Sequence, residues 1–130
     1  MGRPRPRGLI LDAGALIAFE RGDPRMRALV QRVRDRGANM AIPAAVLAQV
    51  WRDGSRQVRL AALLSARSVQ VVPLTEGIAK AAGQLCGLRG TSDVIDACVA
   101  LAAREAGAVV VPSDSDDLRR LDPTLTIVAV

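Results

Sequence analysis

The chain has no histidine and no tyrosine, one tryptophan, one phenylalanine and two cysteines among its 130 residues. With no imidazole and no C-x-x-C pair, the pattern argues against a zinc site, and Cys86 and Cys98, twelve residues apart, argue against a disulfide framework. Both are expected as buried, reduced thiols. Apolar residues make up 50% of the chain although aromatics are only 2%, so the core must be built from Ala, Val, Leu and Ile, a palette that suits α/β layers. No uninterrupted apolar run approaches the ~18 residues a membrane span needs. The start, MGRPRPRGLILDAGALIAF, mimics a secretory signal, but Asp12 interrupts its apolar run and no small-residue cleavage pattern follows. The expectation is a cytoplasmic protein with no membrane role.

Lysine is also scarce. Lys80 stands alone beside 17 arginines, and the net charge is +5. This balance points to a polyanionic partner or an acidic protein segment without choosing between them. The arginine bias fits phosphate recognition and equally fits the base composition of a coding sequence.

The length suits a single domain spanning 1–130. Gly8 to Leu11 is a continuous aliphatic run ending at Asp12, the pattern of a strand buried on both faces. Ala13 to Glu20 reads as a short helix, and Pro24 opens another that Gly37 ends. Met40 to Ile42 is a strand. Pro43 opens a helix with Val46, Leu47, Val50 and Trp51 on one face, and a further helix is expected from Ser55 to Ala66. Val69 to Leu74 reads as a strand, Thr75 starts a helix to about Leu88, and Asp93 to Ala106 is the strongest helix of the chain. Ala108 to Val111 is a buried strand, Asp114 to Leu121 a short helix and Thr126 to Val130 a last strand. Such alternation predicts a three-layer α/β/α sandwich with a mostly parallel sheet of four or five strands, whose ligands sit beyond the strands' carboxyl ends.

Asp12 and Asp114 each follow the end of a strand, so this architecture would bring both to one sheet edge, where two anions need a cation between them. Asp93 and Asp96, three apart on a helix, share a face and supply a third and fourth carboxylate. Each aspartate alone reads equally well as a cap or turn residue; their joint placement is harder to explain as capping. Asp96 sits one turn inside an apolar helix, where a carboxylate is costly unless it meets a metal, an arginine or a donor.

The segments LILDAGALIAF, IPAAVLAQVWR, TSDVIDACVALAAREAGAVVVPSD and the following SDDL together resemble the successive motifs of PIN-domain proteins, specifically VapC-like toxins of bacterial toxin-antitoxin systems. The resemblance implies an endoribonuclease whose carboxylates hold Mg²⁺ or Mn²⁺, oxygen-seeking cations suited to a chain without imidazole. It places Asp12, Asp93 and Asp114 at the catalytic metal positions, with Asp96 and Asp117 as accessory ligands. Thr91, Ser92 and Ser113 become hydrogen-bonding residues around them. It further implies an RNA substrate, a small cognate antitoxin and a homodimer.

Two residues depart from the family pattern. Gln49 stands where a glutamate is usual, lining the site with a neutral amide, and Asp53 one turn later is a candidate substitute; Pro112 replaces a common threonine. Arg52 and Arg56, with Arg59, are candidates to receive an RNA backbone or an acidic antitoxin tail. Trp51 is expected in the core or a dimer interface. With only it and Phe19 available for stacking, RNA recognition is expected to rest on phosphate contacts and backbone shape. Two alternatives stay open: a PIN fold that binds RNA or antitoxin but has lost turnover through Gln49, and an interaction module whose acidic cleft accepts a partner's arginine. A phosphotransfer fold is disfavoured because Lys80 lies mid-chain and Gly14 replaces the second Asp of a D-x-D motif, and no P-loop is present.

Overall fold

The computed structural model describes residues 8–111, 118, 119 and 121–127. Its central strand, β1 (Leu9–Leu11), is buried at all three positions. It is flanked by β2 (Met40–Pro43) and β4 (Val109–Val111), and β3 (Val69–Val72) pairs with the far side of β2. The strand order is β3-β2-β1-β4 and every pairing is parallel, with Leu9 opposite both Met40 and Val109. Aliphatic runs without alternation are what a sheet covered on both faces requires.

Six α-helices cover the sheet among the described residues: α1 (Ala13–Glu20), α2 (Pro24–Asp35), α3 (Ala44–Val50), α4 (Val58–Ser65), α5 (Glu76–Arg89) and α6 (Val94–Ala106). The crossovers from β1 to β2 and from β2 to β3 step one way across the sheet, whereas that from β3 to β4 steps back. With right-handed connections, α1 to α4 lie on one face and α5 and α6 on the other. The packing agrees, since α1 touches α2, α3 and α4 while α5 packs along α6. The result is a three-layer α/β/α sandwich. Helix α6 buries Ala97, Ala100 and Ala103, small residues that let it approach the strands closely, and the opposite layer is filled by Leu16, Met26, Val46, Leu60 and Leu63.

Local chemistry sets the ends of these helices. Asp12, Asp23, Thr75 and Asp93 each accept a hydrogen bond from a backbone N–H of the first turn. Helix α4 begins at Val58 rather than at the expected Ser55. Asp53 Oδ1 accepts from both the N–H and the hydroxyl of Ser55, which closes a turn before helix can start. Gln57 then locks that turn: its Oε1 accepts from the N–H groups of Arg52 and Asp53, and its Nε2 donates to Val50 O and Glu20 Oε2. This buried amide joins the end of α3, the start of α4 and the end of α1.

The third strand stops at Val72, two residues short of expectation, where Pro73 follows. Of the anticipated last strand, Ile127 forms a parallel bridge to Val110, and residues 128–130 lie outside the described set. Of the anticipated helix from Asp114 to Leu121, Leu118, Arg119 and Leu121 are helical and Leu118 and Leu121 are buried; 114–117 lie outside the described residues.

Asp122 ties this C-terminal stretch to α6. Its carboxylate accepts from Arg104 Nε at 2.9 Å and Nη2 at 2.7 Å, and from the hydroxyl and N–H of Thr124. Burial pushes the Asp122 carboxyl up, but the Thr124 and Arg104 donors outweigh it and hold the group below its ordinary value. A carboxyl lowered on folding stabilises the fold above the unfolded value of about 3.9 and loses that contribution as pH falls through the folded value. Asp122→Ala is therefore expected to lower unfolding stability by about 2 kcal/mol at pH 7, where Arg104 loses its partner. Urea titrations should show the gap closing below about pH 4.

Cys86 and Cys98 are buried and unpaired by any disulfide. Burial raises both thiols; the Asp93 carboxylate raises Cys86 further, and Cys86 raises Cys98. Thiol reagents should leave both unmodified at pH 7 in the folded protein and modify both once urea unfolds it.

Candidate active site

The chain leaves β1 toward β2, whereas beyond β4 it returns as Ile127 on the far side of Val110, so the crevice at the carboxyl ends of β1 and β4 is the switch point of the sheet. Asp12 lies there. It is the first residue after β1 and the N-cap of α1; its Oδ1 accepts from Ala15 N at 3.0 Å, and its own N–H donates to Val111 O at 3.4 Å. The residue is only 4% exposed. A three-residue strand and one helical turn thus hold a carboxylate in the crevice, next to Val111 at the end of β4.

Helix α6 leads into β4, and a crossover helix runs antiparallel to the strands it joins, which puts its N-terminus at the same edge. Asp93 caps that terminus, its Oδ1 accepting from Asp96 N at 3.0 Å while its own N–H donates to Thr91 Oγ1 at 3.2 Å. Asp93 and Ser92 are exposed and Asp96 is half-buried in the first turn. Asp12, Asp93 and Asp96, from segments about eighty residues apart in sequence, therefore lie toward one sheet edge. Among the described residues, no three Asp, Glu or Cys side chains converge closely enough to form a metal-binding group. Ser113, Asp114 and Asp117 lie outside the described residues, as does Pro112.

Gln49 is exposed in the last turn of α3, which packs against both α1 and α6, the helices that open at Asp12 and Asp93. Asp53 is committed elsewhere: the Ser55 hydroxyl and N–H hold its carboxyl below the ordinary range, and Arg56 lies 3.8 Å away. Arg52 turns back on its own helix, donating to Trp51 O at 2.7 Å and Ala48 O at 3.3 Å, and remains exposed. Trp51 is not in the core; it is 37% exposed, with its ring against Gly54.

Some residues of consequence carried no signal in the sequence. Gln57 and Asp122 read as surface polar residues because nothing in a local pattern shows that distant segments will enclose them. Arg27 and Arg34, seven apart on α2, are brought opposite Arg59 of α4 across an open cleft of about 550 Å³ floored by Phe19, Val30 and Leu63. Arg59 is held by a bond to Glu20 O at 3.0 Å and lies over Gly22, whose φ of +80° favours glycine and where a Cβ would press within 3.1 Å of the guanidinium.

The donor set at the sheet edge is oxygen only, which fits Mg²⁺ or Mn²⁺ and not a soft metal. No described helix is long and apolar enough to cross a membrane.

The fold is shared with several solved structures. A chain of VapBC2 from Rickettsia felis, in a crystal structure with a DNA fragment from their promoter, matches with a TM-score of 0.72 at 16% identity, over 95% of this chain and 98% of that one. A chain of VapBC-1 from nontypeable Haemophilus influenzae matches with a TM-score of 0.64 at 17% identity, over 94% and 97%. PAE2754 from Pyrobaculum aerophilum matches with a TM-score of 0.62 at 20% identity, over 93% and 90%. At these identities the likeness is one of fold. No curated protein gives a significant sequence match. The PIN domain family matches residues 9–123, nearly the whole length, and the chain belongs to that family.

Proposed function

We propose that this protein is a metal-dependent endoribonuclease and the toxin of a toxin-antitoxin pair. The observation that carries the reading is Asp12, a carboxylate enclosed at the switch point of a PIN-domain sheet beside the acidic N-terminus of α6. Asp12, Asp93 and Asp114 would hold the cation, with Asp96 and Asp117 as accessory carboxylates. Mg²⁺ or Mn²⁺ bound there supplies an activated water and neutralises charge on the phosphate.

The chain's own residues would orient these groups. Ala15 N fixes one Asp12 oxygen, and Asp96 N and the Thr91 hydroxyl fix the Asp93 cap. Ser92 and Ser113 would line the phosphate path. Gln49 would offer an amide where a carboxylate would add charge, weakening cation affinity. The same substitution supports a second reading, a PIN fold that binds RNA or antitoxin with little turnover.

The fold neighbours include toxin-antitoxin complexes, which supports a small antitoxin as partner here. The cleft between α2 and α4 suits it: an apolar floor takes the hydrophobic face of a helix, and Arg27, Arg34 and Arg59 take its carboxylates. Arg52 and Arg56 remain exposed for RNA or an acidic tail. A cytoplasmic homodimer acting on RNA completes the proposal.

Purified protein should cleave structured RNA with Mn²⁺ or Mg²⁺, and cleavage should stop with a chelator and fall by about 100-fold or more in Asp12→Asn and in Asp114→Asn. Cutting that survives both treatments would overturn the assignment. If Gln49 limits turnover, Gln49→Glu should raise both Mn²⁺ affinity and rate; an unchanged rate would show that the aspartates suffice. Arg34→Glu with Arg59→Glu should weaken binding of the antitoxin encoded beside the toxin while leaving the melting temperature nearly unchanged, as read by calorimetric titration and thermal unfolding.

A further inference from the structure

The single tryptophan carries an inference of its own. Residues of this size are normally enclosed, yet the Trp51 ring is 37% exposed at the C-terminal end of α3. Its mount is rigid. Trp51 N donates to Leu47 O at 2.8 Å, and the Gln57 amide holds the N–H groups of the next two residues at 2.8 and 3.0 Å. Gly54 lies against the ring so closely that a Cβ there would stand 3.0 Å from Cζ2 and Cη2. The turn packs directly against the indole, and a side chain at position 54 would require the ring to shift by a few tenths of an ångström.

The surroundings favour a nucleobase as the ring's ligand. Arg52 follows directly, and its guanidinium bonds only to the carbonyls of Ala48 and Trp51, so its positive charge is matched by no carboxylate among the described residues. Gln49 lies two residues earlier on the helix that packs against both α1 and α6. A flat π-surface on a hydrogen-bonded turn, beside an uncompensated cation and at the end of the helix that packs against both aspartate-bearing elements, combines the stacking and phosphate contacts by which single strands are held. An acidic peptide would use the guanidinium but gain little from an exposed indole face.

We propose that Trp51 is a base-stacking platform that, with Arg52 on the adjoining phosphate, positions single-stranded RNA across the carboxylate edge. The proposal rests on the ribonuclease reading. It replaces the expectation that recognition here proceeds by backbone contacts alone.

Because the chain has one tryptophan, its emission reports on this ring only. An unstructured RNA oligonucleotide is titrated into the full-length protein in EDTA, which prevents cutting, and binding is read independently by the polarization of a dye on the RNA. Stacking predicts quenching of Trp51 emission that saturates together with polarization. Trp51→Leu should then weaken RNA binding by roughly fivefold to a hundredfold, and Trp51→Phe should recover most of it. Circular dichroism checks that each variant is folded. If Trp51→Leu does not fold, the wild-type titration and Trp51→Phe still decide the matter.

Polarization that rises while emission stays constant overturns the proposal and leaves the ribonuclease reading intact. Emission that changes with protein concentration in the absence of RNA, and not on adding it, assigns the ring to a second copy of the chain and likewise overturns it. Absence of any RNA binding in EDTA and also with Mn²⁺ removes the ribonuclease reading itself, and this inference with it.

Discussion

The structure depends on one enclosed aspartate at the end of its central strand. Burying a carboxylate is unfavourable unless its surroundings supply donors or a cation, and Asp12 sits where a parallel sheet provides both opportunities. The N-terminus of α1 offers the Ala15 N–H, and the diverging crossovers of β1 and β4 leave a crevice into which other acidic segments can be led. A different strand order would have closed that crevice with a crossover helix.

The remaining elements serve that edge. Helix α6 must reach the sheet closely enough to present its N-terminus beside β1, and its buried alanines permit this where leucines would hold it away. Asp122 with Arg104 and Thr124 then fastens the stretch around residues 122–124 onto α6. On the other side of the sheet Gln57 joins α1, α3 and α4 through four hydrogen bonds. A buried amide satisfied on every side costs little and fixes one arrangement; left unsatisfied it would favour unfolding.

Charge is arranged by the same means. Asp12 and Asp93 cap helices that open at the strands' carboxyl edge, whereas arginines too far apart to interact in sequence line one α2–α4 cleft. Their separation leaves one small fold with an acidic sheet edge and, away from it, a basic cleft.

Much of this was legible in the sequence. Unbroken aliphatic runs such as Leu9–Leu11 and Val109–Val111, and caps such as Asp23, Thr75 and Asp93, determine local structure because the interactions they use lie within a few residues. The alternation of strand and helix then implied a parallel sheet, and with it the position of Asp12 at the end of β1 and the shared face of Asp93 and Asp96. Only the tertiary structure decided which polar residues are enclosed, as with Gln57 and Asp122, where α4 begins, that Trp51 is left partly in solvent, and that Arg27, Arg34 and Arg59 face one another. These outcomes rest on contacts between segments brought together by strand order, and no local pattern of polarity encodes which neighbours a side chain will meet across such distances.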